Sequence, residues 1–182
     1  MDIIEDKVYY HIQRKTAYNR EPFWGIGQVI FIGEEKNPFN KYFDNYPPNN
    51  NQDVTSLSMA IGYYQKLIRE TVFEEVREDF FPNFPSRLSC LWVIPENMES
   101  INYWWGQITA EERVILKLKL TGKIHKVNQS YLTLNYGSLN HYRQLAFRYW
   151  SGTSGNNECE NEYLFEGFAE VVDIYHAAQG II

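Results

Sequence analysis

The sequence contains little cysteine, glycine and proline, and no apolar run long enough to span a bilayer. Its 2 cysteines, Cys90 and Cys159, are too few for a disulfide framework, and neither lies in a zinc-binding spacing. With 11 glycines, 7 prolines and an aromatic share of 16%, the composition disfavours disorder and collagen-like repeats. The N-terminus has no pattern of a secretory signal. We therefore expect one cytoplasmic domain over residues 1–182 that contacts no membrane.

The common catalytic and nucleotide-binding motifs are also missing. The chain has no G-x-x-x-x-G-K-[ST] loop, no G-x-S-x-G and no H-E-x-x-H. Gly25 and Gly27 would need a third glycine at position 30 to form a dinucleotide-binding loop, but that residue is Ile30. The four histidines are scattered along the chain, so we expect no metal site.

Acidic residues are absent from residues 113–157, although the whole chain has a net charge of −6. Residues 158–173 then hold only acidic charges. The net negative charge excludes a protein that coats nucleic acid through bulk charge. The segregation has two interpretations: a solvated face, or a basic stretch bordering a cleft for an anionic ligand such as a pyrophosphate. The basic residues are Arg113, Lys117, Lys119, Lys123, Lys126, Arg143 and Arg148.

Hydrophobic periodicity predicts strands with two helices in the N-terminal half, which is an α+β fold. The longer helix begins after Asp53, a good N-cap, and ends near Phe80 because Pro82 and Pro85 forbid continuation. Pro95 opens the second helix. The apolar positions of the longer helix are Leu57, Ile61, Tyr64, Ile68, Val72 and Val76. Strands are predicted at residues 8–13, 27–32, 87–94, 116–120, 130–134 and 163–175, and exposed loops at 34–53 and 149–157.

Three segments carry the strongest functional signal. They are Tyr10-His11 on the first strand, residues 86–93 (SRLSCLWV) before an aromatic helix, and residues 160–167 (ENEYLFEG). In this order they resemble the three-motif signature of the ADP-ribosyltransferase superfamily. Asn161-Glu162-Tyr163 resembles the Asn-Glu-Tyr element of poly(ADP-ribose) polymerases.

Within that superfamily, the chain is most similar to a family of small bacterial domains of unknown function. The features in common are Tyr10-His11, Pro85-Ser86-Arg87-Leu88, Tyr149-Trp150-x-Gly152, and Glu162 with Gly167 five residues later. The resemblance implies a split β-sheet core that binds NAD as a substrate and needs no metal.

The resemblance also implies roles for individual residues. Glu162 would be the catalytic carboxylate, which bonds the ribose 2′-hydroxyl and stabilises the cation-like sugar. Glu160 would lie on the same side of an extended segment and assist attack by the acceptor. The NAD-binding candidates are Tyr10, His11, Ser86, Arg87 and Trp92, and the substrate-binding candidates are Tyr149 and Trp150.

Purely structural roles compete with these assignments. His11 and Trp92 can be packed strand residues, and Arg87 can pair with a carboxylate of the preceding helix. Tyr149 and Trp150 can attach their segment to the core.

Three functions follow as expectations. The first is an NAD-dependent mono-ADP-ribosyltransferase of the glycosyltransferase class, a bacterial toxin or defence factor that modifies a protein or nucleic acid and has an antitoxin or immunity partner. The second is an NAD glycohydrolase or an RNA 2′-phosphotransferase-like enzyme. The third is a non-catalytic interaction module on the same fold. Aromatic residues among the basic charges favour a nucleic-acid acceptor: Tyr131, Tyr136, Tyr142 and Phe147.

Overall fold

The structure is a computed structural model that describes residues 1–16, 19–44, 53–133, 137–153, 155 and 157–177. The strands are β1 (Asp2–Arg14), β2 (Val29–Ile32), β3 (Leu91–Pro95), β4 (Arg113–Asn128) and β5 (Asn161–Tyr175). The helices are α1 (Pro38–Asp44), α2 (Val54–Phe80), α3 (Met98–Gln107) and α4 (Leu139–Trp150). The chain therefore forms an α+β fold, as predicted.

The five strands form one antiparallel sheet with the order β2-β5-β3-β1-β4. An additional pairing joins β4 to β5, so β1, β4, β5 and β3 close into a ring. The long strand β5 pairs along one edge with β4 and along the other with β3 and then β2. As a result, the segment that contains Glu162 occupies a central position in the sheet.

Two glycines allow the longest strand pair to approach closely. Gly122 of β4 lies opposite Gly167 of β5, and their φ angles are +154° and +141°. A Cβ at Gly122 would lie 2.2 Å from the Glu166 carbonyl oxygen, and one at Gly167 would lie 2.4 Å from the Thr121 carbonyl oxygen. Only glycine fits both the space and the backbone conformation at these positions.

The core has one cluster inside the ring and two outside it. Alternate residues of β3, β4 and β5, such as Val93, Leu118 and Phe165, fill the interior. The opposite face of β3 and β5 packs against α2 and α4, and the outer face of β1 and β3 packs against α3. The helices therefore cover the outer face of the sheet.

Most predicted elements are present, with shifts at their ends. Helix α2 begins after Asp53, whose side chain accepts a hydrogen bond from the Ser56 N–H, and it ends before Pro82. The middle strand begins at Leu91, because residues 87–89 form a turn.

Three predictions about the chain are corrected. The stretch 130–134 is no strand where it is described: residues 129–131 form a 3₁₀ turn, and residue 134 lies outside the described residues. The loop at 34–53 contains α1, and its residues 45–52 are not described. Helix α4 was not predicted, and it places Tyr149 and Trp150 at a helix end instead of in a loop.

Candidate active site

Arg87 is at the centre of the candidate site. The chain leaves α2 through Pro82 and Pro85, and Arg87 lies in the turn before β3, where it is 4% exposed. Its Nε donates a hydrogen bond to Glu70 Oε2 at 2.9 Å, and its Nη1 donates one to Glu162 Oε2 at 3.1 Å. The guanidinium thus connects a carboxylate of α2 with a carboxylate of β5.

Glu70 neutralises the buried guanidinium from the side of α2. Burial acts to raise the pKa of Glu70, but the charges of Arg87 and Arg69 outweigh it and hold that pKa below its usual value. Conversely, burial acts to lower the pKa of Arg87, and the charge of Glu70 raises it well above the ordinary value. The Glu70–Arg87 pair is therefore charged on both sides at neutral pH.

Glu162 is the second residue of β5, and its side chain is 12% exposed. Its Oε2 accepts hydrogen bonds from Arg87 and from the Tyr149 hydroxyl, the latter at 3.0 Å. Among the residues that the structure describes, none donates a hydrogen bond to Glu162 Oε1. One carboxylate oxygen is therefore fixed, and the other is available to a ligand.

Tyr149 completes the cluster from the last turn of α4. Its hydroxyl accepts a hydrogen bond from Arg87 Nη1 and donates one to Glu162 Oε2. Burial raises the pKa of this phenol well above its usual value, although the charge of Arg87 opposes the shift. Tyr149 is therefore a neutral hydrogen-bond donor to Glu162.

Trp92 lies beside this cluster on β3. Its ring centroid is 5.5 Å from the Arg87 guanidinium carbon, within cation–π range. Because Trp92 lies opposite Leu164 in the strand register, its ring is on the same face of the sheet as Glu162. The half-buried indole thus provides an aromatic surface on the face of the sheet that carries the carboxylate.

His11 is not brought to this cluster. Tyr10 of β1 lies opposite Ile94 of β3. Two residues earlier on β3, Trp92 lies opposite Leu164 of β5, which is two residues after Glu162. Since side chains alternate along a strand, Tyr10 shares the face of Glu162, and His11 is on the opposite face.

The contacts of His11 agree with this placement. Its Nδ1–H donates to the Trp92 carbonyl oxygen at 2.8 Å, and its ring stacks on Trp24 with centroids 5.9 Å apart. Burial lowers the pKa of His11 to about 4, against the hydrogen bond to Trp92, so the imidazole is neutral at neutral pH.

The remaining candidates have other contacts. Tyr10 is 3% exposed and donates its hydroxyl to Glu96 at 3.4 Å. Ser86 donates to Glu74 Oε1 at 2.7 Å. Trp150 is fully buried and donates its indole N–H to the Phe73 carbonyl oxygen at 2.7 Å, which attaches this segment to the core.

Glu160 departs from its expected position. It ends a 3₁₀ turn before β5, so the segment is not extended there, and the alternation that would align it with Glu162 does not apply. Its charge acts instead on Tyr103 of α3, whose pKa is raised by burial and by this carboxylate.

Sequence reasoning missed Glu70, although an ion pair between Arg87 and the preceding helix was among the alternatives. The available signal was the Arg69-Glu70 pair, which stands between the apolar pairs Leu67-Ile68 and Val72-Phe73 of α2. Within the described part of the chain, no group of three or more metal-binding side chains is present. No described helix is long and apolar enough to cross a membrane.

Comparison with known proteins gives one informative result. No match is found among curated proteins. One family, described as "Protein of unknown function (DUF2441)", matches residues 9–177, which include every residue of the cluster described above. Because the match covers most of the sequence, the chain belongs to the DUF2441 family.

Proposed function

We propose that this protein is an NAD-dependent mono-ADP-ribosyltransferase in which Glu162 is the catalytic residue. The observation that carries the proposal is the hydrogen bonding of this carboxylate. Oε2 is fixed by Arg87 and Tyr149, whereas Oε1 is unbonded among the described residues and the side chain is partly exposed. A preorganised negative charge of this kind stabilises a developing cation at low reorganisation cost.

The reaction needs such a charge because a glycosidic bond breaks. The bond between ribose C1′ and the nicotinamide nitrogen breaks, and its electron pair leaves with nicotinamide. A nucleophile of the acceptor then forms the new bond to C1′ and loses its proton. Glu162 Oε1 would accept a hydrogen bond from the ribose 2′-hydroxyl and offset the positive charge of the sugar.

Other parts of the cluster support this assignment. Trp92 lies on the same face as Glu162, where its indole can stack on the nicotinamide ring. Arg87 is buried and paired with two carboxylates, so we assign it as a positioning residue for Glu162 rather than as a ligand of the pyrophosphate. The order β5-β3-β1 also places the three motif segments on adjacent strands.

NAD is the proposed substrate, and a protein or nucleic acid is the proposed acceptor. Tyr149 and Trp150 are both fully buried, so neither is assigned to binding of the acceptor. Because the Glu162 cluster by itself suits nicotinamide release, hydrolysis of NAD is the closest alternative reaction. Nicotinamide release that is equally fast with and without a macromolecular acceptor would identify the hydrolase.

The decisive experiment compares two carboxylates of the same strand. Glu166 lies on the face of Glu162 and also pairs with a cation, Lys123, at 2.8 Å. We expect Glu162→Gln to lower nicotinamide release from NAD by about 100-fold or more, the effect of removing one electrostatic group. Glu166→Gln should retain the activity of the wild type. Full activity in Glu162→Gln, or equal loss in both variants, would refute the assignment.

A second candidate, a non-catalytic interaction module, is favoured by a different observation. Glu162, Arg87 and Glu70 form a chain of buried ion pairs that satisfies Arg87 without a ligand. In such a module Glu162 has only a structural role. Isothermal titration with NAD separates the candidates, because the module would give no binding heat while Glu162→Gln would still lower the free energy of unfolding.

A further inference from the structure

Helix α2 exposes a stripe of large apolar side chains along its N-terminal half. We define this α2 stripe as five residues whose exposed fractions range from 43% to 85%: Val54, Leu57, Ile61, Tyr64 and Ile68. Exposed apolar groups in a contiguous row mark an interaction surface more often than scattered ones do.

The spacing of the α2 stripe is that of a helix-pairing seam. Its residues follow one another at steps of three, four, three and four, which is the repeat of paired helices. At about 100° per residue, all five lie within one quarter of the helix circumference. Met59, which is 62% exposed, lies on the opposite side of the same helix segment.

The α2 stripe lies N-terminal to the part of α2 that packs against α4. In the C-terminal half of α2, Phe73 and Val76 pack against Ala146 and Trp150 of α4. In the N-terminal half, Tyr63 is turned away from the stripe and donates its hydroxyl to the Phe43 carbonyl oxygen. The helix therefore carries two apolar faces, and only the C-terminal one is covered by α4.

The charges around the α2 stripe favour a second copy of this chain as its partner. Lys66 is the single charged residue between Val54 and Ile68, and it lies on the side of Met59. Two copies of a chain with a net charge of −6 repel each other over most of their surface. An uncharged stripe removes that repulsion locally, and it offers nothing to attract a highly charged partner.

The area of the α2 stripe also suits self-association. Since an aromatic side chain has about 150–250 Å² of surface and an aliphatic one is at the lower end of this range or below it, the exposed fractions correspond to at most about 500 Å² per copy. A symmetric pair would then bury up to about 1,000 Å², the lower limit for a specific interface. A C2 pair is self-complementary by construction, since each stripe meets the same stripe on its partner.

We propose that two copies of this chain associate through the α2 stripe, helix against helix, as a dissociating homodimer. The proposal does not depend on the catalytic assignment, because Glu70, the α2 residue that pairs with Arg87, lies on the opposite side of the helix from the stripe.

Sedimentation velocity of the full chain tests this proposal. From micromolar to near-millimolar concentration, the weight-average mass should rise from 21.6 kDa toward twice that value. The double variant Leu57→Glu, Ile61→Glu should remain monomeric over the whole range, because burying these carboxylates against their symmetry mates is unfavourable.

Met59→Glu is the matched control, since it places the same charge on the same helix segment outside the stripe. It should associate as the wild type does. Equal circular dichroism spectra of the three proteins establish that the fold is retained. A wild type that is monomeric at every concentration would overturn the proposal, as would loss of association in Met59→Glu or unchanged association in the double variant.

Discussion

Two imidazoles, those of His11 and His125, donate a ring N–H to a backbone carbonyl within the protein. His125 is 5% exposed; its Nε2–H donates to the Trp150 carbonyl oxygen at 3.0 Å, and its ring centroid is 4.1 Å from that of Phe84. Burial lowers the pKa of His125 from 6.5 to about 4, against the hydrogen bond to Trp150, which acts to raise it. The folded state therefore favours the neutral ring.

This shift predicts that acid begins to weaken the fold near pH 6.5, before most carboxylates titrate. Between pH 6.5 and about 4, the unfolded chain binds a proton at His125 that the folded chain does not. The free energy of unfolding should thus fall as the pH drops through this window, by about 3 kcal/mol for His125. His11 contributes in the same direction.

Urea unfolding of the wild type and of His125→Gln, at neutral pH and at a pH between 4 and 6.5, measures the effect. The variant should be less stable at neutral pH, since it loses the ring packing, but its stability should depend less on pH. His141→Gln is the control, because His141 is exposed. Equal pH dependence in the wild type and His125→Gln would contradict the prediction.

The site residues show which single-residue inferences were within reach of the sequence. Glu162 could be selected as a candidate because a short motif contains it, and Arg87 because two prolines precede it. The face on which His11 lies could not be derived, since it depends on the register of β1 against β3. Glu70 could not be identified from the sequence, because only the tertiary fold brings Arg87 next to it.

Among the secondary-structure elements, β4 and β5 explain the segregated charges of the sequence. The basic strand pairs with the acidic one, so that Lys119 meets Glu170 at 3.0 Å and Lys123 meets Glu166 at 2.8 Å. The side chains of these pairs are 29–41% exposed, so solvent screens the attraction and each pair adds little to stability. The basic and acidic residues thus face each other across one strand pair. This supports the interpretation that the segregated charges form a solvated face.

Helix α2 is easier to predict from the sequence than helix α4. Asp53 and Pro82 mark the two ends of α2, and apolar residues recur with helical spacing from Leu57 to Val76. Helix α4 has an N-cap at Ser138, but its buried residues are mostly aromatic, namely Tyr142, Ala146, Tyr149 and Trp150. Aromatic residues are common in strands, which makes the helical spacing of these four residues easy to miss.

Two glycine substitutions should change stability in opposite directions. Gly62 lies within α2, and a Cβ there would meet no atom within 4 Å, so Gly62→Ala should raise the free energy of unfolding by about 0.5–1 kcal/mol. Gly167→Ala should lower it by about 2–4 kcal/mol, because its φ of +141° is strained for alanine and the Cβ would overlap the Thr121 carbonyl oxygen.

Urea unfolding of both variants measures these effects, and each serves as the control for the other because the substitution is the same. A Gly167→Ala protein as stable as the wild type would show that β4 and β5 can separate at this point without cost. A Gly62→Ala protein less stable than the wild type would mean that the added methyl group disturbs a contact.

For the molecule as a whole, the ring of strands depends on β5. This strand pairs with β4, β3 and β2, and its Leu164 and Phe165 belong to two of the three core clusters. A chain that ends at Glu160 would leave those strands without a shared partner. We expect it to lack cooperative thermal unfolding and to give a poorly dispersed amide NMR spectrum.

The matched control for this truncation is a chain that ends after residue 177, which retains every described element. It should melt cooperatively like the full chain. A well-dispersed spectrum from the shorter chain would show that the ring can close without β5.

The closure of this ring also has a consequence for biosynthesis. Residues of β1 pair with residues 113–124, and β3 gains its second neighbour only with residues 163–165. At about 5–20 residues per second on the ribosome, β1 waits for about 5–20 seconds before its partner strand is made. During that interval the apolar residues of β1 lack the strand that covers them in the native fold, so chaperones that hold nascent chains should associate with this segment until β4 has emerged.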